Sequence, residues 1–257
     1  MLGQVSTPAP VADLMARWVM SATPSAILDP AAGLGMLLHA CKDRDSNAKL
    51  VGVERDSTTL QQAKDTAPRG TKLILADYLF AEAGQFEGII ANPPYVKSQR
   101  LEYSEANWRY FDERFGIPLD RLTNLYALFL LKIWEDLAPG GRAAVLIPAE
   151  FLNANFGEEI KDRLLKDLKP AGVVVFAPEL NLFSDALTTS AIIFLDRGRA
   201  KDAAIKAIKA NTLSDAEMLV DDLLGKSGNS SMLKVHDLRK FDPGQKWLNV
   251  LLEDAPS

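Results

Sequence analysis

Seven short apolar runs recur along the chain, and stretches with helical spacing separate most of them. The runs are 25–30 (SAILDP), 48–56 (AKLVGVERD), 71–78 (TKLILADY), 86–95 (FEGIIANPPY), 142–151 (RAAVLIPAEF), 171–180 (AGVVVFAPEL) and 188–196 (TTSAIIFLD). They are β-branched and apolar on both faces, as strands of a covered parallel sheet must be. Helical patterns fill 33–43, 57–67, 125–141 and 157–168; the third ends in Pro-Gly-Gly, a stop signal. The alternation predicts an α/β fold: a doubly wound seven-stranded Rossmann-like sheet with helices on both faces. Ligands of such sheets sit beyond the carboxyl ends of the strands, near the point where strand order reverses. The strand ends are therefore where function is to be sought.

The fourth run ends in Asn92-Pro93-Pro94-Tyr95. Proline has no N–H to give a ladder and fixes φ, so two in succession stop a strand and stiffen its tip. The Asn92 side-chain oxygen and the Pro93 carbonyl can both accept hydrogens from one exocyclic amine, turning its lone pair toward an incoming electrophile. Tyr95 offers a face on which a base can stack. The three preceding strand ends are acidic. Asp29 opens the small-residue turn DPAAGLG, where an acid suits an ammonium group and repels a phosphate. That turn has neither a Gly-Lys-Ser/Thr ending nor a G-x-G-x-x-G spacing. Glu54 lies about 20 residues on, where an acid accepts from a ribose diol. Asp77 can accept from an adenine amino group, and Tyr78 can pack on the ring. Sites for an amine, a ribose and an adenine together suggest S-adenosyl-L-methionine as cofactor.

These motifs, in this order, resemble the gamma-class S-adenosylmethionine-dependent DNA adenine-N6 methyltransferases of restriction–modification systems, over residues 4 to about 196. The resemblance implies a Thr-Pro segment, here Thr7 and Pro8, capping the methionine part of the cofactor. It implies that Asp29, Ala31 and Gly33 lie near that part, Glu54 at the ribose and Asp77 with Tyr78 at the adenine. It puts Phe129 on the cofactor side. Asn92, Pro93, Pro94 and Tyr95 form the catalytic motif. The resemblance makes Phe183 the second plate stacking on the target base, which double-stranded DNA must flip out to reach a methyl donor. A methyltransferase acting on a protein glutamine amide shares the Asn-Pro-Pro-Tyr signature, and an RNA base amine is a further alternative. A non-catalytic partner-docking module is a third, which the retained Asp29, Glu54, Asp77 and Asn92 argue against.

Residues 1–198 make the expected catalytic domain. Residues 199–257 read as a helical and flexible extension, a linker toward a target-recognition domain or a separate specificity subunit. The insertion 97–123 interleaves Lys97, Arg100, Arg109, Arg114 and Arg121 with Tyr103, Trp108, Tyr110 and Phe111, a mixture that suits DNA. Its five acids equally suit a solvated lid. The net charge of −5 excludes a basic nucleic-acid coat. One cysteine and two histidines exclude an internal disulfide and a His/Cys metal cluster, and the reading is of a cytoplasmic protein without metal or membrane span.

Overall fold

The computed structural model describes residues 7–45, 47–96, 103–153, 157–180, 189–200, 202–226 and 233–252. All seven predicted strands form: β1 Ala26–Asp29, β2 Lys49–Glu54, β3 Lys72–Leu75, β4 Phe86–Ala91, β5 Leu137–Pro148, β6 Gly172–Phe176 and β7 Ser190–Asp196. Among the described residues the count is nine, not seven. β8 (Lys206–Ala210) and β9 (His236–Asp237) extend the sheet within the segment expected to be helical and flexible. The strand order is β3-β2-β1-β4-β5-β7-β6-β8-β9. β1 pairs in parallel with both β2 and β4, so the order reverses there. The sheet is mixed, because β7 runs antiparallel to both β5 and β6.

Each strand of the sheet's centre is buried on both faces. Along β5, Ala143, Val145 and Ile147 enter one apolar cluster while Ala144 and Leu146 enter the other. This period-two division puts helices on both sides. One layer holds α1 (Ala9–Met20), α2 (Met36–Arg44) and α7 (Leu213–Leu223). The opposite layer holds α4 (Glu105–Phe115), α5 (Leu125–Asp136), α6 (Gly157–Arg163, continued as a π turn to Leu168) and α8 (Trp247–Leu252). α3 (Ser57–Thr66) connects β2 to β3.

Three elements differ from the sequence reading. α5 stops at Asp136, and residues 137–141 join β5 across a register irregularity between Phe86 and Gly88 of β4. α1 was not expected. It starts on Pro8 and carries Val11, Leu14, Met15, Trp18 and Val19 on one buried stripe. The Trp18 indole N–H is shared between the carbonyls of Ala143 in β5 and Leu195 in β7, at 3.0 and 3.1 Å, pinning α1 to the sheet. The third is the end of the chain. Trp247 is fully buried, its indole N–H donates to Asp242 O, and Asn153 binds both Asn249 and the Leu248 amide. Within 233–252, Trp247 and Leu248 are thus packed on the body and Asn249 is bonded to it.

Candidate active site

The carboxyl ends of β3, β2, β1 and β4 form a row of neighbours, and each carries one of the predicted polar residues: Asp77, Glu54, Asp29 and Asn92. Strands stand about 4.8 Å apart, so the row spans roughly 14 Å.

Asp29 is the last residue of β1 and is 1% exposed. Its Oδ1 accepts from Ala31 N at 3.1 Å. Burial pushes its pKa up to about 7 against that hydrogen bond, and the charge of Glu54 adds to the rise. A buried carboxylate with an acid for a neighbour is matched by a cation. Glu54, also buried, accepts from Gly33 N through Oε2 at 3.0 Å and from Asp56 N through Oε1 at 2.8 Å. It therefore ties the β1–α2 turn to the end of β2. Gly33 takes φ +51°, a left-handed conformation, with open space where a Cβ would be. Gly35, at φ +87°, allows α2 to pass where a Cβ would lie 2.8 Å from that of Ala67.

Asp77 follows β3 and caps a 3₁₀ turn over Tyr78–Phe80 by accepting from Leu79 N at 3.1 Å. Its Oδ2 faces Arg55 Nη1 at 3.5 Å, and that arginine is 69% exposed. Tyr78 does not present a ring to this cleft. It is 1% exposed, its ring lies 5.2 Å from that of Phe129, and Lys132 Nζ sits 4.7 Å from its centroid. Burial, then the nearby Asp136, pushes its hydroxyl pKa well above the ordinary value. The role expected of Tyr78 at an adenine ring thus has no open face behind it. Phe129 is likewise buried. The aromatic with an open face here is Phe80, 38% exposed and packed on Tyr103, Tyr110 and Phe111. Tyr103 lies near both Asp77 and Arg55. Phe80 was not among the residues the sequence reading singled out.

Asn92 is the first residue beyond β4, and its Nδ2 donates to Thr7 Oγ1 at 2.9 Å. Thr7 therefore reaches the asparagine, and Pro8 is the N-cap of α1. Pro93 is buried, and the tip is tied to α5 by Leu125 N donating to Val96 O at 3.2 Å. Tyr95 is half-buried. Burial raises its hydroxyl pKa, beside Ser190 at the start of β7 and with Glu150 and Tyr126 close. Ser190 pairs with Pro148, so the ends of β5 and β7 wall this side of the tip. Phe183 lies outside the described residues. Lys97 and Arg100 lie outside the described residues, and the described part of the insertion, from residue 103, is folded: α4 buries Trp108, Phe111 and Phe115. Arg114 binds Glu135, Glu82 and the Tyr110 hydroxyl, and Arg121 binds Asp112 and lies over Trp108. These contacts of the two arginines are thus with the protein's own side chains. Among the described residues no cluster of His, Cys, Asp or Glu could hold a metal, and no helix is long and apolar enough to cross a membrane.

Comparison with known proteins shows the family. The Type II methyltransferase M.AccI of Acinetobacter calcoaceticus is 31% identical over 252 residues, covering 95% of this chain and 46% of that protein. The Type II methyltransferase M.XamI of Xanthomonas campestris pv. amaranthicola is 29% identical over 200 residues, covering 74% and 38%. The chain thus spans less than half the length of these two relatives. The type I restriction-modification methyltransferase subunit of Streptococcus thermophilus superposes with a TM-score of 0.72 at 20% identity, over 89% of this chain and 55% of that one. It shares the α/β methyltransferase fold. The family model described as N-6 DNA Methylase matches residues 1–227, and with the polar row in place at the strand ends the chain belongs to that family.

Proposed function

We propose that this chain transfers a methyl group from S-adenosyl-L-methionine to the N6 amine of an adenine flipped out of double-stranded DNA. It is the catalytic part of a gamma-class restriction–modification enzyme. Target recognition then lies in a further domain or a separate subunit, as the chain's share of its relatives' length suggests. The observation that carries this reading is the order of the row. Asp77, Glu54 and Asp29 stand at the ends of neighbouring strands in the order in which adenine, ribose and ammonium run along the donor, and Asn92 stands at the end of the next strand.

The buried Asp29 fits the donor's ammonium, because a cation beside it restores the ionised state that burial opposes. Glu54 already accepts two backbone amides, and its remaining lone pairs suit ribose hydroxyls. When bound, the cofactor supplies an electrophilic methyl on sulfur. The chain does the rest by placement. Asn92 Oδ1 and the Pro93 carbonyl accept the two amine hydrogens and direct the lone pair toward the methyl. The N–C bond forms as the S–C bond breaks, its electrons staying on sulfur. The extra proton then leaves for water, so no side chain of tuned pKa is required. Tyr95 and Phe183 are the two plates that hold the base, each stack worth about 1–3 kcal/mol.

The test is a calorimetric titration with S-adenosyl-L-methionine, followed by radiolabelled transfer to unmethylated DNA and digestion to nucleosides. Binding with label in N6-methyladenine is expected. Label appearing in protein glutamine or in RNA would replace the substrate. An absence of binding would remove the reading altogether.

A further inference from the structure

We propose that Thr7 holds the Asn92 side chain in place for catalysis, a positioning role that rests on the methyl-transfer reading above. A carboxamide carries opposite chemistry at its two ends, an acceptor oxygen and a donor nitrogen. An amine awaiting methylation presents hydrogens, so only the oxygen end can hold it. Rotated by half a turn, the same side chain would set one NH₂ against another. Asn92 Nδ2 donates to Thr7 Oγ1 at 2.9 Å, and because a hydroxyl can also donate, the contact fixes where the carboxamide stands. The hydroxyl stands on a firm base. Thr7 is buried, Pro8 and α1 follow it directly, and Trp18 fastens α1 to two strands. The two partners are 85 residues apart in sequence, and nothing in either motif alone announces the contact. The sequence reading gives Thr7 a different task, capping the methionine part of the donor. The two tasks separate kinetically: a cap acts on donor affinity, whereas a positioning group acts on kcat.

The variants are Thr7→Val, which keeps size and shape but removes the acceptor, and Thr7→Ser, which keeps the hydroxyl. In the 257-residue chain Thr7→Val is expected to lower kcat about tenfold, the worth of one such hydrogen bond. The Kd for S-adenosyl-L-methionine should stay within about twofold, and Thr7→Ser should recover most of the rate. A second readout needs no substrate. In the ¹⁵N-labelled chain the Asn92 side-chain NH₂ signals, assigned through Asn92→Ala, should move in Thr7→Val and hold in Thr7→Ser. Unmoved Asn92 signals in Thr7→Val overturn the proposal, as does weakened donor binding at unchanged kcat. If the amide signals respond but the wild-type chain methylates no adenine, the contact stands and the functional reading falls.

Discussion

At the scale of single residues, Asp29 gives the most direct prediction. Its pKa is raised from 3.8 to about 7, so the folded chain holds this proton more tightly than the unfolded chain does. The contribution of Asp29 to stability therefore falls as pH rises from about 4 to 7 and is level above that. Asp29→Asn keeps an acceptor for Ala31 N and removes the buried charge. The ligand-free variant should be more stable than wild type at pH 8, by about 2–4 kcal/mol or roughly 5–10 °C in Tm, and no more stable at pH 4. It should also lose affinity for an ammonium-bearing donor, whose binding to wild type should strengthen up to about pH 7. Thermal melts across that range decide the first part; equal Tm values at pH 8 would show that the charge is relieved in some other way. Asp77 offers a second case. To accept from an adenine amine on the proposed reading, its Oδ2 must exchange Arg55 for the ligand. An exposed pair of this kind is worth about 0.2–1 kcal/mol, so Arg55→Ala should tighten donor binding up to about fivefold at low salt and less at high salt. Looser binding on titration would instead make Arg55 part of the ligand's own contacts.

At the scale of elements, α5 carries a buried ion pair beneath the Asp77 turn. Lys132 Nζ lies 2.9 Å from Asp136 Oδ2, wholly buried, with its charge against the Tyr78 ring. Removing one partner leaves an unmatched charge in the interior, so Lys132→Ala should cost about 3–5 kcal/mol, and the apolar pair Lys132→Met with Asp136→Leu should regain most of it. Denaturant melts of the single and double variants test this, and equal destabilisation by both would contradict it. The same elements show what the sequence could convey. β1 to β7 were legible because each is a short apolar run set off from helical patterns, and the polar ends of four of them marked the row of Asp77, Glu54, Asp29 and Asn92. α1 was passed over although Val11, Leu14, Met15, Trp18 and Val19 have helical spacing, because Pro8 and Pro10 read as punctuation when they sit in the tolerated first turn. β8 was passed over because alternating Lys206, Ile208 and alanines suit a helix as well as a strand outside its context. Tyr78 and Phe80 could not be sorted into buried and open, since a 3₁₀ turn carries about three residues per revolution and sends the two to different sides. The Thr7 contact is long-range and has no local signal at all.

At the scale of the whole molecule, the sheet does not stop where the catalytic motifs do. β8 pairs with β6 from Gly172↔Lys206 to Phe176↔Ala210, α7 packs its Ala216, Leu219 and Val220 against the α1 side, and Arg17 of α1 pairs with Asp221. On the other side Lys161 Nζ donates to Gln245 O and lies over the Trp247 ring, joining α6 to the approach to α8. A chain cut after residue 198 would leave the β6 edge as a row of unpaired N–H and C=O groups, and would open both apolar layers. It should be unstable or aggregate, whereas the extension read as a tether from sequence would be dispensable. Trp247→Ala, which empties a fully buried site, should cost about 3–5 kcal/mol in the intact chain. The two experiments bear on one question, whether residues 199–252 belong to the body that carries the active site. A 1–198 chain that melts at the wild-type temperature, with Trp247→Ala neutral in the full one, would return them to the role of linker. Loss of stability in both would mean that any recognition domain or subunit is attached to a catalytic body that already includes β8, β9 and α8.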